Sequence, residues 1–423
     1  MNSPLALLGG PPVIPAGGRH FSWPPLTDAT TKAVVDQLDT SISVYDRSGV
    51  IADLEDALRD YFGVRHAVLA SSGTAALHSS YAAALVEPGD EVIVPAYTFF
   101  ATATPLLHLG AVPVLADSDE TGNVSVEDVA NRITERTVAI MVTHLWGIPA
   151  DVNGLKALAD AHGLALLEDA SHAHGATVTG RRVGTFGRVS AFSMNGPKPL
   201  SAGEGGFALT DNDEVYYRLL LHGHYNKRCR NEIPADHPLH QYAVTGMGLK
   251  FRIHPLAARI ALDQLGQLDG YLAGRAAIAE YLRDQLGQLP GIAVPTIPAD
   301  AQPAWYGLPL IYVPDELDGI PIERVHQALL AEGLREVDRP GSTRPVNQLP
   351  LFGHTDALFP HHPARAQLRF RRGQFPVAEQ VHHHTLKLPV WHREEDMPLV
   401  EQYIEGFRKV VEHRRDLQGT RNG

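Results

Sequence analysis

The run "LALLEDA", residues 164–170, decides the fold class, because it sets four apolar residues in a row and ends them with an acidic pair. Apolar residues without alternation are typical of a parallel strand that helices cover on both faces. Similar short runs recur along the first half of the chain: "HAVLAS" (66–71), "DEVIVPA" (90–96), "VPVLAD" (112–117) and "VAIMVTH" (138–144). This pattern predicts an α/β fold with a doubly wound, mostly parallel sheet that binds ligands at the carboxyl ends of its strands.

Helix-length segments separate these runs. "IADLEDALRDYFG" (51–63) spaces its apolar residues at three and four and ends in glycine, which predicts an amphipathic helix. Residues 256–286 predict one or two long helices, and a second set of strand and helix signals follows them. Since 423 residues are too many for one ordinary core, we predict an N-terminal arm (1–25), a large domain (26–266) and a small C-terminal α/β domain (267–423).

Composition narrows the classes of function. The net charge is -12 and no block of Lys or Arg stands out, so we expect no nucleic-acid partner. One cysteine, Cys229, excludes an internal disulfide and a cysteine-based metal cluster, and it favours a reducing, cytoplasmic location. No stretch approaches the roughly 20 apolar residues that span a bilayer, and Gly and Pro interrupt the N-terminal "LALLGGPPVIPAGG", which makes a poor signal peptide. We therefore expect no membrane partner.

The stretch "ASSGTAALHSS", residues 70–80, follows the first predicted strand and begins an Ala-rich helix. Small residues there let backbone N–H groups and the helix N-terminus approach an anion, which favours a phosphate site. The alternative is an ordinary capped helix start.

The stretch "LLEDASHAHGA", residues 166–176, sets Asp169 at the end of the opening strand and His172 three residues later. A carboxylate at this place can hold a proton on a heterocyclic nitrogen and make the ring electron-withdrawing. The alternative is a helix-capping Asp with a solvated His. The histidine spacing does not favour zinc.

The stretch "NGPKPLSAGEGG", residues 195–206, holds Lys198 between two prolines, and Ser193 lies five residues before that lysine. A lysine forms a Schiff base with a carbonyl when it is fixed and its pKa is lowered. An imine-forming lysine, an acidic partner for a ring nitrogen and a phosphate cup together match the needs of pyridoxal 5'-phosphate. Neither a P-loop nor a G-x-G-x-x-G motif offers a nucleotide alternative.

The order of these motifs resembles that of the DegT/DnrJ/EryC1/StrS family of pyridoxal-phosphate-dependent sugar and cyclitol aminotransferases. The matching stretches cover most of the chain: "SSGTAAL", "PGDEVIVPAYTFFATA", "GAVPVLAD", "HLWGIPADV", "EDASHAHGA", "GTFGRVSAFSMNGPK", "SAGEGGFALT" and "LKLPVW". The resemblance implies the fold type I architecture, with a large α/β domain and a smaller C-terminal domain. It also implies a homodimer with active sites at the subunit interface.

By this resemblance, Lys198 is the lysine that binds the cofactor and Asp169 is the partner of its pyridine nitrogen. Phe99 stacks on the cofactor ring, and His172 lies beside the ring and its 3-hydroxyl. The phosphate-binding residues implied are Gly73, Thr74 and Ser193. Taken singly, each of these residues also suits an ordinary structural role, such as a core position for Phe99.

Two stretches depart from the family pattern. In "GLKFRIHP" (248–255), Lys250 stands where a family Asn reaches the partner subunit's phosphate, and its ammonium can pair with phosphate as a point charge. The prolines that flank Lys198 also differ from the usual residues, which leaves donor and acceptor preference open.

The implied activity is a two-stage transamination from glutamate or glutamine to a keto group of a sugar or cyclitol, in amino-sugar or secondary-metabolite biosynthesis. Within this family, the start "LALLGGPPV" and the "HAHGA" stretch resemble the cyclitol and aminobenzoate-type branches more than a nucleotide-sugar enzyme, which favours a cyclitol. A nucleotide sugar would need cations for its diphosphate, and "HGHYNKRCR" (222–230) is a candidate to supply them; the alternative for this stretch is a solvated loop.

Several alternatives use the same site. A lyase, aldolase or epimerase with the Lys198 cofactor link stays open, whereas Lys198 argues against the dehydratase branch, which has histidine there, and against a degenerate sensor. The triple "HHH" (382–384) predicts a surface helix and no metal, because adjacent helical residues point to different faces.

Overall fold

The computed structural model describes residues 3–418. Its α-helices are α1 Asp28–Thr40, α2 Gly49–Phe62, α3 Gly73–Ala83, α4 Thr104–Leu109, α5 Val126–Asn131, α6 Val152–His162, α7 Asp213–Gly223, α8 Lys227–Glu232, α9 Pro255–Leu265, α10 Leu268–Leu286, α11 Ile322–Ala331, α12 Pro350–Gly353, α13 Pro376–His384 and α14 Met397–Glu412. Its strands are β1 His66–Ala70, β2 Glu91–Pro95, β3 Tyr97–Phe99, β4 Val112–Ala116, β5 Thr137–Thr143, β6 Ala165–Asp169, β7 Thr177–Val178, β8 Arg181–Arg182, β9 Val189–Ser193, β10 Gly206–Thr210, β11 Ile292–Ala293, β12 Ala301–Gln302, β13 Leu308–Tyr312, β14 Thr343–Pro345 and β15 Thr385–Leu388.

Seven strands form the central sheet, in the order β1-β10-β9-β6-β5-β2-β4. The strands from β9 to β4 pair in parallel, and β10 pairs antiparallel with both of its neighbours. All five apolar runs in the sequence are strands of this sheet, and β2 is buried along its whole length. The predicted α/β class with a large, mostly parallel sheet is therefore confirmed.

Helices cover both faces of this sheet, as the uninterrupted apolar runs require. On one face α3 contacts β9 and β10 and packs against α7, with buried Leu77 and Leu219 in the shared core. On the other face α2 packs against α9 and α6 lies along β5 and β6. None of the helices within residues 3–418 has the length and apolar character of a membrane span.

A second, smaller sheet in the order β11-β13-β15 packs with α10, α11 and α14 around its own core. Leu5 and Ile14 from the start of the chain join this core. Phe352 and Phe375, in contrast, pack in the core of the large sheet, although they belong to the C-terminal third of the sequence. The exact domain limits at residues 25 and 266 therefore stay a prediction.

The histidine triple ends α13. His383 is exposed, whereas the ring of His382 turns inward, where its Nε2 lies 2.9 Å from the Pro340 carbonyl oxygen. Adjacent histidines thus point to different faces, as expected, but only part of the triple is at the surface. Within residues 3–418 no group of His, Cys, Asp or Glu side chains has the arrangement of a metal site.

The strand register brings the motif stretches to one edge of the large sheet. Gly206 pairs with both Ala70 and Ser193, so the carboxyl ends of β1 and β9 lie at one level. Thr143 at the end of β5 pairs with Asp169 at the end of β6. This edge is where a doubly wound sheet binds its ligands.

Candidate active site

A cavity of about 370 Å³ opens at this edge. It is lined by seven of the eight residues that the sequence singled out, namely Gly73, Thr74, Phe99, Asp169, His172, Ser193 and Lys198. The eighth, Lys250, is exposed and lies outside the cavity of its own chain. Distant stretches of sequence therefore meet at one site.

Hydrogen bonds fix the backbone of Lys198, and burial lowers the pKa of its amine. Its backbone N–H donates to the Asn195 carbonyl at 2.9 Å, and its carbonyl accepts from the Trp23 indole N–H at 2.7 Å. Its Nζ lies 4.5 Å from the centre of the Tyr306 ring. Burial lowers the pKa of Lys198 to about 8, against the opposing effect of the Asp169 carboxylate, and the charge of Lys387 lowers it further.

The loop that carries Lys198 folds back on itself through backbone hydrogen bonds. The N–H of Gly196 donates to the Gly203 carbonyl at 3.0 Å, and that of Ala202 donates to the Met194 carbonyl at 2.8 Å. The Asn195 amide also donates to Glu204 at 2.8 Å. These bonds stiffen the loop, as do the two prolines. The side chain of Lys198 therefore extends from a fixed backbone.

The two acidic residues at the end of β6, Glu168 and Asp169, have different roles, because neighbouring residues of a strand point to opposite faces of the sheet. Asp169 is buried at the cavity and accepts from the Thr102 hydroxyl at 2.7 Å and from the Ser171 N–H at 3.2 Å. Glu168 points away from the cavity and accepts from the N–H groups of Gly184 and Gly187. Asp169 therefore serves the cavity, and Glu168 holds a neighbouring loop.

The first turn of α3 approaches β9 so closely that only glycine fits at residue 73. A Cβ on Gly73 would lie 2.5 Å from the Cβ of Ser193, far inside normal contact. Ser72 caps the helix by accepting from the Ala75 N–H at 3.1 Å. The small residues thus bring the N-terminus of an eleven-residue helix and the Ser193 hydroxyl to one corner of the cavity, a setting that favours an anion.

His172 belongs to a stack of three nearly parallel rings. Its ring centre lies 4.1 Å from that of Tyr306 and 5.8 Å from that of Trp146, with interplanar angles of 6° and 15°. Burial, followed by the charge of Lys198, moves the pKa of His172 well below its usual value, so the ring is neutral at pH 7. Its Nδ1 is buried and has no partner in the described protein.

Phe99 is the last residue of the short strand β3. It pairs with Thr343 of β14, and its ring lies 4.2 Å from that of Phe100. Phe99 is half-buried and lines the cavity, so one face of an aromatic side chain is available to a ligand.

These residues fit pyridoxal phosphate. The close approach of Gly73 to Ser193 brings the N-terminus of α3 and the Ser193 hydroxyl together, which suits a phosphate, and the unpartnered Nδ1 of His172 can meet a polar substituent of the cofactor. A buried carboxylate at Asp169 suits a protonated ring nitrogen, and an amine with a lowered pKa at Lys198 suits an imine bond.

Three further residues support this site without a signal in the sequence that marks them. Thr102 lies three residues beyond Phe99, inside a quoted motif, and its spacing from Asp169 is visible only in the folded chain. Tyr306 comes from the second half of the chain and Trp23 from the N-terminal arm. Their contribution depends on tertiary placement, and no local motif marks it.

A sheet of this topology, with a lysine loop after β9 and an aspartate at the end of β6, is the architecture of a fold type I pyridoxal-phosphate enzyme. Residues 27–401 match the DegT/DnrJ/EryC1/StrS aminotransferase family. The chain belongs to this family, which depends on pyridoxal phosphate, and the resemblance seen in the motifs is confirmed.

Relatives match over nearly the whole chain. An L-glutamine:scyllo-inosose aminotransferase of Streptomyces griseus is 33% identical over 99% of this chain and 100% of its own. An L-glutamine:2-deoxy-scyllo-inosose aminotransferase of Streptomyces kanamyceticus is 36% identical over 98% of both. The crystal structure of an aminotransferase from Psychrobacter cryohalolentis superposes with a TM-score of 0.81, at 26% identity, over 94% of this chain and 100% of that one.

Proposed function

We propose that this protein transfers an amino group from glutamine or glutamate to the keto carbon of a cyclitol or sugar, with pyridoxal phosphate held at Lys198. The observation that carries the proposal is the amine of Lys198, whose pKa is lowered to about 8, in one cavity with Asp169 and the N-terminus of α3. Two relatives whose names state this chemistry, with glutamine as donor, support it.

Each of the predicted site residues in the cavity has a task in holding the cofactor. Lys198 supplies the amine for the covalent link, and Asp169 keeps the ring nitrogen protonated. The N-terminal turn of α3, with Thr74 and Ser193, holds the phosphate. Phe99 and His172 hold the ring. When bound, the cofactor supplies an electron sink that stabilises negative charge at the substrate carbon next to nitrogen.

Lys198 is also the base that moves the proton at that substrate carbon. A pKa of about 8 leaves a useful fraction of the amine neutral near pH 7 to 8, so that it can accept a proton and return it. The ring of Tyr306, 4.5 Å from Nζ, stabilises the protonated form between these steps. The fixed backbone of Lys198 keeps the amine over one face of the site.

The charge that this chain supplies to its own cavity favours an uncharged acceptor. Among the described residues that line it, Lys198 is the one cationic side chain. The stretch 222–230, whose cations a diphosphate would need, does not reach the cavity of its own chain. Arg228 in that stretch is buried and paired with Glu55 and Glu232. We therefore favour a cyclitol over a nucleotide sugar.

We further propose that the protein is a homodimer in which Lys250 serves the cavity of the partner chain. Apolar side chains near Lys250 are exposed in the single chain, and they suit a subunit interface: Tyr242, Val244, Met247 and Leu249. A cation beside such a surface is well placed to meet an anion in a neighbouring copy.

Isotope transfer tests the reaction. The purified protein with pyridoxal phosphate is incubated with glutamine labelled with ¹⁵N at its α-amino group, together with scyllo-inosose. Mass spectrometry should find the label in an aminocyclitol, and a nucleotide keto sugar should accept less of it. Breakdown or epimerisation of the amino acid without transfer to any keto acceptor would favour a lyase, aldolase or epimerase and contradict the proposal.

A further inference from the structure

The N-terminal arm reaches the back of the lysine loop through one side chain. The indole N–H of Trp23 donates to the backbone carbonyl of Lys198 at 2.7 Å. The backbone N–H of the same lysine donates to Asn195. Both polar backbone groups of Lys198 are thus tied, one within its loop and one to a residue 175 positions away.

Three side chains fix the plane of the Trp23 ring. The guanidinium of Arg275 lies 4.0 Å from a ring centre of Trp23. The rings of Tyr271 and His392 meet Trp23 edge to face, each at a centre distance of 5.3 Å. Tyr271 and Arg275 are one turn apart on α10, and His392 follows β15. Because the plane of the indole is set by its neighbours, the direction of its N–H is set as well.

Arg275 makes this arrangement costly to disturb. Its side chain is 1% exposed, and burial lowers its pKa to about 9. Within residues 3–418 it forms no ion pair, and its Nη1 donates to the Trp305 carbonyl at 2.9 Å. The face of the Trp23 ring therefore stabilises the desolvated guanidinium of Arg275, in part as a counter-ion would. Loss of that face would leave the buried cation with the Trp305 carbonyl as its hydrogen-bond partner and no aromatic face of Trp23 beside it.

We propose that Trp23 is a positioning residue, which fixes the backbone of Lys198 and so the direction of its amine. This inference rests on the proposed function of Lys198. It implies that the N-terminal arm and the helix α10 belong to the support of the reacting amine, although neither lines the cavity. A misplacement of a reacting group by about 1 Å can lower a rate by about a hundredfold, so the part-buried hydrogen bond at this carbonyl is expected to affect the rate.

The test compares two tryptophans that hold the same arm. Trp23→Phe keeps an aromatic ring for Arg275 and removes the donor to Lys198. Trp391→Phe is the matched control, since the Trp391 indole donates to the His20 carbonyl at 2.8 Å and does not touch the lysine loop. Both variants lose one indole N–H bond of the arm, so a purely structural effect should be similar in the two.

We expect W23F to lower kcat by about tenfold or more with little change in the KM of the donor. In the cofactor-free protein, hydrogen–deuterium exchange of the peptide over residues 196–200 should become faster in W23F and stay unchanged in W391F. Unchanged exchange in W23F, or a loss of kcat equal in both variants, would overturn the proposal. The exchange result does not depend on activity, so it stands apart from a failure of the proposed function.

A measurement on the wild type covers the case in which W23F does not fold. The chain has four tryptophans, so the ¹⁵N indole signal of Trp23 can be assigned by elimination with Phe variants of the other three. Slow exchange of this N–H and a shift of its signal on addition of pyridoxal phosphate are expected. Fast exchange, or a signal that the cofactor leaves in place, would contradict the positioning role.

Discussion

At the scale of single residues, burial and the charge of Asp169 act on the pKa of Lys198 in opposite directions. Burial favours the neutral amine of Lys198, while the negative charge of Asp169 favours the ammonium. The balance leaves the pKa of the lysine at about 8, below its ordinary 10.5. A group that must both accept and return a proton near neutral pH needs such a balance.

The first prediction concerns the titration of this amine. In the cofactor-free protein, the neutral form of Lys198 should appear as pH rises through about 8, so its reaction with an amine-specific reagent should reach half its maximal rate there. Peptide mass spectrometry over a pH series measures that rate at Lys198 alone. A midpoint near 10.5 would show an ordinary, solvated lysine and contradict the electrostatic account.

The second prediction separates the two neighbouring carboxylates of β6. Asp169→Asn keeps the size of the side chain but removes its charge, so turnover should fall by about a hundredfold or more. The titration midpoint of Lys198 should also move down, because Asp169 is the group that raises its pKa. Glu168→Gln is the control: it weakens the bonds to Gly184 and Gly187 and should lower stability, with no shift of the Lys198 midpoint. Equal effects on that midpoint would refute the division of roles.

At the scale of elements, the start of α3 is where sequence and structure agree most closely. The Ser-Ser-Gly-Thr stretch predicts a helix N-terminus near an anion, and the structure gives the reason for glycine in the short distance to Ser193. The strands were equally predictable, because runs such as Val92 to Val94 are buried on both faces.

Other parts of the site could not be predicted from the sequence. Tyr306 and Trp23 carry no local motif, since each acts through neighbours that are distant along the chain. Arg228 was a candidate for diphosphate binding, and the structure instead pairs it with Glu55 in the core. A basic residue in a polar stretch has the same local pattern whether it binds a ligand or a buried carboxylate.

The third prediction compares two glycines in helices. Gly73→Ala places a methyl group 2.5 Å from the Ser193 Cβ and should cost about 1–3 kcal/mol in the free energy of unfolding. It should also weaken the affinity for pyridoxal phosphate, because α3 must shift away from Ser193. Gly270→Ala in α10 meets no atom within 4 Å and should stabilise the protein by about 0.5–1 kcal/mol.

Denaturant unfolding and a titration with the cofactor measure these two quantities. If G73A bound the cofactor as tightly as the wild type, the corner between α3 and Ser193 would not be the phosphate site.

At the scale of the whole molecule, the core around each sheet combines segments that are distant along the chain. Leu5 and Ile14 join the core around the small sheet, while Phe352 and Phe375 return to the core of the large one. The two sheets are therefore interlocked by the chain itself. Lys250 alone among the predicted site residues stays outside the cavity, which fits a task in a second copy.

The fourth prediction tests that shared site by complementation. Variants K198A and K250A should each have low activity. When the two are unfolded together and refolded at equal ratio, half of the dimers are mixed and one of the two sites in each has both lysines. About a quarter of the wild-type activity should return. No recovery above the sum of the separate variants would show that Lys250 does not act across a subunit interface.

The most direct test of the central claim is the covalent link at Lys198. The protein loaded with pyridoxal phosphate is reduced with borohydride and digested, and the modified peptide is identified by mass spectrometry. We predict a pyridoxyl group on Lys198, and we predict that Lys198→Ala yields no modified peptide and no transfer of nitrogen from glutamine. A label on another lysine, or turnover that survives in K198A, would contradict the account.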